Sequence, residues 1–112
     1  MTDPLDAARA AAVARVAALR RELGDVIDSA SSTTGDDEHD PEGATIGFER
    51  AQAQALLDQA VAALAEIDAA LERRRAGSYG ACLDCGRPIR AERLAARPAA
   101  LRCIACESTR RH

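Results

Sequence analysis

Four cysteines, arranged as two Cys-x-x-Cys pairs, constrain this chain of 112 residues more than any other feature. Cys82 and Cys85 form the first pair, Cys103 and Cys106 form the second, and seventeen residues separate the pairs. One tight turn aims the two thiolates of a pair at a single ion, and a second pair completes a tetrahedron. The spacing therefore predicts one zinc ion with four cysteine ligands. Such a site has no open position for water or substrate, so its role is structural.

Residues beside the cysteines support this interpretation. Gly86 directly follows the first pair and, because it lacks a Cβ, lets backbone N–H groups turn toward the sulfurs. The second pair lacks such a glycine. There we expect a short terminal helix that begins at Cys106 and faces the thiolates with its N-terminal amides.

Three alternatives exist for the cysteines: a disulfide pair, a redox-active motif and an iron–sulfur cluster. Disulfides need an oxidising compartment, whereas the first residues are acidic and no basic segment precedes an apolar run, so we expect a cytoplasmic protein. A redox motif prefers a strand–helix–strand context, but the sequence before Cys82 has a helical pattern. An iron–sulfur cluster stays open, although the paired spacing fits it less well.

The composition favours helices that pack closely together. Alanine fills 27 positions, and Phe48 and Tyr79 are the only aromatic residues, which excludes a large globular core. Two segments carry mainly apolar residues at alternating steps of three and four, interrupted in the first segment where Arg9 takes a seam position, and this is the pattern of a coiled-coil seam. The seam positions are Leu5, Ala12, Val16, Leu19, Leu23, Val26 and Ala30 in the first segment, and Ile46, Arg50, Ala53, Leu57, Ala60, Leu64, Ile67 and Leu71 in the second.

Two seams of similar length predict an antiparallel two-helix coiled-coil hairpin. Asp3 and Pro4 suit the start of the first helix, Asp40 and Pro41 suit the start of the second, and Gly77 suits its end. The fold class is therefore mostly α, with a C-terminal four-cysteine zinc-finger module and a short terminal helix. We place the hairpin in residues 1–76, its acidic tip at about 31–45, and the zinc-finger module in residues 77–112.

Charge is unevenly distributed along the chain. Residues 1–71 contain 14 acidic residues and 5 arginines, net −9, whereas residues 72–112 contain 4 acidic residues and 10 arginines, net +6. Nine acidic residues crowd segment 22–49, where they either keep a loop solvated or face a cationic or metal-bearing partner; composition alone favours the solvated loop. Calcium is a weaker alternative, because the spacing does not match an EF-hand. His39 is expected to be exposed.

Arginines near the cysteines raise the question of nucleic-acid binding. They are Arg73, Arg74, Arg75, Arg87, Arg90, Arg93, Arg97 and Arg102. Aromatic side chains that would stack on bases are missing, and the chain has a net charge of −3. We therefore expect no autonomous sequence-specific DNA binding.

The sequence shows no combination of a nucleophile, a base and a group that orients the base, so we expect that the protein is not an enzyme.

The segment from Gly77 to Cys106 resembles the zinc-finger signature of the DksA/TraR family of bacterial transcription regulators. Its matching residues are Gly77-Ser-Tyr-Gly-Ala-Cys82-Leu-Asp-Cys85-Gly-Arg-Pro-Ile89 and Glu92-Arg-Leu-Ala-Ala-Arg97-Pro-Ala-Ala-Leu-Arg-Cys103-Ile-Ala-Cys106. The stretch from Asp36 to Thr45 is similar to short members of the family. Longer members carry Asp-x-x-Asp-x-Ala at the tip, whereas here Gly43 follows Asp40-Pro-Glu42 in place of the second aspartate.

The resemblance implies a regulator that binds RNA polymerase directly and inserts its coiled coil into the secondary channel, so that the acidic tip approaches the catalytic magnesium. The implied tip residues are Asp36, Asp37, Glu38, Asp40, Glu42 and Phe48, with Asp40 the foremost. The implied basic surface comprises Arg87, Arg90, Arg93 and Arg97, which would meet acidic polymerase surface or, together with polymerase, form an alarmone site. We expect a monomer with no membrane association. A DNA-binding zinc module and a coiled-coil scaffold are the alternative functions.

Overall fold

The computed structural model describes residues 3–32 and 41–110. These residues form four helices: α1 (Pro4–Ser32), α2 (Pro41–Ala76), α3 (Ala91–Ala96) and α4 (Ile104–Arg110). Within the described ranges there is no β-strand, and a single isolated antiparallel bridge pairs Ala81 with Pro88. The predicted mostly α fold, with two long helices ahead of a cysteine-bearing module, is confirmed. None of the described helices is both long and apolar enough to cross a membrane.

Local chemistry explains where α1 begins. The backbone N–H of Leu5 donates to the Asp3 side chain at 2.8 Å, and that of Ala7 donates to the Asp3 carbonyl at 2.9 Å. Asp3 therefore satisfies an amide that has no partner inside the helix. Pro4, which has no N–H to satisfy, occupies the first helical position. Both residues act as the sequence predicts.

The end of α2 is equally well defined. Gly77 has a φ of +85°, a conformation that residues with a Cβ rarely adopt. Its N–H donates to the Arg74 carbonyl at 3.2 Å, and the N–H of Ser78 donates to the Arg73 carbonyl at 2.9 Å. These two bonds form a Schellman motif, which satisfies carbonyls that the helix leaves free. The chain then turns toward the cysteine module.

The chain divides into two compact units. One unit comprises Ala12–Ala63, and its core contains Val16 and Leu19 from α1 with Ala53, Leu57 and Ala60 from α2. All five are predicted seam positions. The other seam positions described in this unit are half-buried, apart from Arg50, which is exposed.

The second unit comprises Met1–Ala11 and Leu64–His112. Two groups of ion pairs join the helices within it: Arg74 contacts Asp3 and Asp6, and Arg9 contacts Asp68 at 2.7 Å. Residue numbers rise along α1 as those of their partners fall along α2, so the two helices are antiparallel, as predicted.

The core of this second unit contains Leu5, Ala70, Cys82 and Ile89. Here the predicted seam is displaced by one residue, because Ala70 is 1% exposed whereas Leu71 is half-buried. A straight helix has 3.6 residues per turn, so a strict heptad pattern drifts around its surface over several turns.

Candidate metal centre

The sulfur atoms of the four cysteines converge on one point. All four Sγ atoms lie within 4.8 Å of one another, and those of Cys85 and Cys103 are 3.9 Å apart. A tetrahedron with Zn–S bonds of about 2.3 Å has edges of about 3.8 Å, so the spacing suits one zinc ion. None of the four is disulfide-bonded in this structure, and the 3.9 Å between the Cys85 and Cys103 sulfurs is far longer than a disulfide bond of about 2.05 Å. Four thiolates around zinc leave no open position, and the site is structural.

A tight turn shapes the first cysteine pair. The N–H of Cys82 donates to the Arg87 carbonyl at 2.9 Å, and the N–H of Gly86 donates to the Cys82 carbonyl at 3.0 Å. Gly86 has a φ of +74°, in agreement with the role predicted for a residue without Cβ. Backbone N–H groups of Cys85, then Cys103 and Asp84, bond to the Cys82 sulfur and lower the pKa of its thiol to about 6. Cys82 is therefore prepared to bind a cation as a thiolate.

The second pair lies at the start of α4. This helix begins at Ile104, two residues earlier than predicted, and its first turn is closed by a bond from the Glu107 N–H to the Cys103 carbonyl at 3.0 Å. The helix starts earlier than predicted because the Cys103 carbonyl already accepts the first hydrogen bond of the helix. Hydrogen bonds to Cys103, then Cys82, hold a proton on Cys106 and raise the pKa of its thiol to about 12. Zinc must displace that proton when it binds.

Two contacts join the segments that carry the two pairs, and a third joins α3 to the second of these segments. The N–H of Leu83 donates to the Leu101 carbonyl at 2.9 Å. The guanidinium of Arg102 donates to Asp84 at 3.0 Å, and that of Arg93 donates to the Arg102 carbonyl at 2.9 Å. Sequence reasoning missed the roles of Asp84 and Arg102. The available signal was a pair of opposite charges, one inside the first cysteine pair and one directly before the second.

The cysteine module is also anchored to the end of α2. Arg73 donates to the Ala81 carbonyl at 2.6 Å, directly before the first zinc ligand. The Tyr79 hydroxyl donates to the Pro98 carbonyl at 2.8 Å, and the N–H of Ile89 donates to the Gly80 carbonyl at 2.7 Å. These bonds fix the path of the chain around the metal site. The short helix α3, which sequence reasoning also missed, lies between the two cysteine pairs.

The predicted basic surface contains arginines in two different situations. Arg87, Arg90 and Arg97 are exposed and form no ion pair with any residue that the structure describes. Arg93 is half-buried and donates to a backbone carbonyl, so part of its guanidinium serves the module itself. A shallow groove of about 310 Å³ is lined by Arg90, Glu92, Arg93, Ala96, Arg97 and Ile104. Its surface combines positive charge with an exposed isoleucine.

Of the predicted tip residues, the structure describes the side chain of Phe48 alone. It is 78% exposed on α2. Glu42 lies in the first turn of α2, but its side chain is outside the described part. Asp36, Asp37, Glu38 and Asp40 lie outside the described residues, as does His39.

Comparisons with known proteins agree with this architecture. Residues 77–112 match the family described as the prokaryotic dksA/traR C4-type zinc finger, a span that contains all four cysteines. The whole structure resembles that of transcription factor DksA2 from Pseudomonas aeruginosa, with 30% identity and a TM-score of 0.64. That match covers 97% of this chain and 87% of the other. No curated protein matches the chain. Because the likeness covers nearly the full length and the finger match includes every metal ligand, the chain belongs to the DksA/TraR family of transcription regulators.

Proposed function

We propose that this regulator acts in the cytoplasm by binding RNA polymerase directly and inserting the acid-rich end of its hairpin into the secondary channel. Transcription initiation is modulated there by the acidic tip, without chemistry by the regulator itself. The observation that carries the proposal is the likeness to a transcription factor over 97% of the chain. The tip and the zinc module have separate tasks in this scheme.

Reach and charge support a channel-inserting role. Helix α1 has 29 residues and thus a length of roughly 45 Å at about 1.5 Å per residue. Segment 22–49, which includes the end of α1 and the start of α2, has nine acidic residues and no arginine. A concentration of carboxylates is attracted to a site that holds divalent cations. Asp40 is the carboxylate to which we assign the principal role, with Asp36, Asp37, Glu38 and Glu42 in support.

Phe48 supplies an apolar contact within that acidic segment. Its side chain is 78% exposed, so it contributes little to the core of the free protein. Aromatic residues are enriched among those that dominate binding energy at protein interfaces. We therefore assign Phe48 to the polymerase contact, beside the carboxylates.

The zinc module is proposed to dock at the polymerase surface through its free arginines. Arg87, Arg90 and Arg97 are exposed and available for acidic side chains. Arg93 contributes less, because one of its nitrogens already donates to the Arg102 carbonyl. An alarmone nucleotide bound jointly by these arginines and polymerase is a second use of the same surface. If the arginines are used in this way, the nucleotide should bind only when polymerase is present.

A transcription assay with purified polymerase tests the tip assignment. We expect Asp40→Asn to keep full zinc content and helicity and to lose most of the effect on initiation at sensitive promoters. Glu66→Gln is the matched control, because it removes an equal charge from an exposed position of α2 outside the acidic segment. Unchanged regulation by Asp40→Asn would overturn the assignment.

A pull-down with core polymerase separates the metal from the tip. Cys82→Ser removes a buried thiolate from a closed site and should lower zinc content and polymerase binding together. Asp40→Asn should leave zinc content unchanged in the same experiment. Equal zinc loss by both variants would contradict the proposed division of roles.

A second candidate function, DNA binding by the zinc module, rests on the same exposed arginines. A module that contacts phosphates through Arg87, Arg90 and Arg97 would bind bare duplex with a log–log salt slope of about −0.9 per phosphate contact. We expect no such binding in the absence of polymerase.

A scaffold role would instead pair exposed apolar positions such as Val13 and Val61 between copies. A monomer in sedimentation at micromolar concentration would exclude that pairing.

A further inference from the structure

An ion pair connects the two halves of the zinc centre. Asp84 lies between Cys82 and Cys85, and Arg102 directly precedes Cys103. The Arg102 Nε is 3.0 Å from Asp84 Oδ2. The Arg102 side chain is only 16% exposed, so it is held against the module and not extended into solvent.

Two further hydrogen bonds restrain the same segments. The N–H of Leu83 donates to the Leu101 carbonyl at 2.9 Å, one residue from each member of the ion pair. From α3, the Arg93 guanidinium donates to the Arg102 carbonyl at 2.9 Å. Arg102 is thereby fixed at both its backbone and its side chain. Because Cys103 directly follows Arg102 in the chain, the contacts that restrain Arg102 also restrain this zinc ligand.

This restraint reduces the cost of closing the site. Seventeen residues separate the cysteine pairs, and bringing the ends of such a loop together costs conformational entropy. Contacts that already hold the ends together lower the cost at the moment when zinc binds. They also slow zinc release, because two thiolates of one pair cannot move away from the ion until the contacts break.

The charges allow the geometric role to be distinguished from simple electrostatics. Four thiolates around Zn²⁺ carry a net charge of −2, so the Asp84 carboxylate by itself disfavours the site. Removing that carboxylate would strengthen zinc binding if charge alone mattered. It would weaken zinc binding if the link to Arg102 mattered more.

We propose that Asp84 and Arg102 are positioning residues of the zinc centre, which hold the two cysteine pairs together and set the rate at which zinc is released. Partners in the outer shell of a metal site typically change metal affinity by about 10- to 100-fold. The proposal concerns the metal site and is independent of the polymerase target.

The test measures zinc release from purified full-length protein into excess chromophoric chelator. We expect Asp84→Ala and Arg102→Met each to accelerate release by about 10-fold, at the lower end of the range for outer-shell partners. The variant that combines Asp84→Ala with Arg102→Met should release zinc no faster than the faster single variant, because both substitutions break the same ion pair. Exchange of the charges, Asp84→Arg with Arg102→Asp, should recover part of the slow release. Arg87→Met is the matched control, since it removes an arginine from the same module that forms no ion pair among the described residues.

Two further measurements separate positioning from a general loss of folding. Circular dichroism should show unchanged helicity in every variant. The visible spectrum of the Co²⁺-loaded protein should keep its tetrahedral thiolate bands. If Arg102→Met does not bind metal at all, Asp84→Ala still decides the question. Release from Asp84→Ala at the wild-type rate or slower, or equal acceleration by Arg87→Met, would overturn the proposal.

Discussion

The guanidinium of Arg74, in the last turn of α2, lies 2.9 Å from the Asp3 carboxylate at the start of α1. Asp3 also accepts the N–H of Leu5, so one side chain both caps α1 and ties it to α2. A second bond from Arg74 reaches Asp6 at 3.0 Å. Leu5, the residue that donates to the cap, is 1% exposed. The start of α1 is thus fixed beside the segment that leads into the zinc module.

Substitution of Asp3 separates the cap from the ion pair. We expect Asp3→Ala to lower the free energy of unfolding by about 1 kcal/mol, because it removes a helix cap. Asp3→Asn should cost less, since asparagine caps equally well and loses only the exposed ion pair, whose effect salt screens. Urea unfolding of zinc-loaded protein at low and high salt measures both effects. Equal losses in the two variants would contradict the capping role.

The core between the two helices should respond strongly to truncation. Leu19 is 5% exposed, so Leu19→Ala should lower the free energy of unfolding by about 3 kcal/mol through lost burial and a new cavity. Val13, which is 41% exposed on the same helix, is the control, and Val13→Ala should cost less than about 1 kcal/mol. Thermal or urea unfolding followed by circular dichroism distinguishes them. Similar costs would mean that Leu19 is not a core residue.

The features predicted from sequence are those that depend on neighbouring residues. The apolar spacing that includes Leu19 and Leu57 follows from helix periodicity alone. Asp3 and Gly77 act on backbone groups within a few residues of themselves, so the helix ends were predictable. The cysteine spacing likewise determines the zinc site, because each pair is held by its own short turn.

The features that were missed depend on contacts between distant segments. Arg102 pairs with Asp84 across 18 residues, and no local pattern indicates that the two meet. Arg93 appears in sequence as one more surface arginine, yet it donates to a backbone carbonyl. Ala70 is buried in place of the seam residue Leu71, because helix drift over many turns depends on the packing that α2 meets.

The burial of Ala70 gives a test of that displaced seam. Ala70→Leu should lower the free energy of unfolding by about 1–3 kcal/mol, because a closely packed position cannot accept three more carbon atoms without strain. Ala69→Leu adds the same atoms to an exposed position and should change stability by less than about 0.5 kcal/mol. Chemical unfolding of the two zinc-loaded variants makes the comparison. Tolerance of leucine at position 70 would place the seam back at Leu71.

Zinc affinity should fall as the pH is lowered. The thiol of Cys106, with a pKa raised to about 12, keeps its proton until zinc displaces it, so the zinc affinity should fall by at least about tenfold per pH unit. Cys82, with a pKa lowered to about 6, adds a further proton to be displaced only below that pH. The dependence should therefore become steeper below about pH 6. Competition with a chelator of known proton affinity between about pH 5 and pH 8 measures the slope. An affinity independent of pH in this range would contradict the assignment.

Tyr79 provides a direct probe of the module, because it is the only tyrosine in the chain. Burial, and then the negative charge of Asp3, raises the pKa of its hydroxyl, which donates to the Pro98 carbonyl at 2.8 Å. A pKa raised in the folded state means that the stabilisation is fully present below the unfolded pKa of about 10 and is lost as pH rises through the folded value. We expect phenolate absorbance to appear at higher pH in the native protein than in urea. Tyr79→Phe should lower the free energy of unfolding by about 1 kcal/mol at neutral pH and weaken the alkaline loss of stability. Coincident phenolate titrations in the native and unfolded states would show that Tyr79 is not held against Pro98.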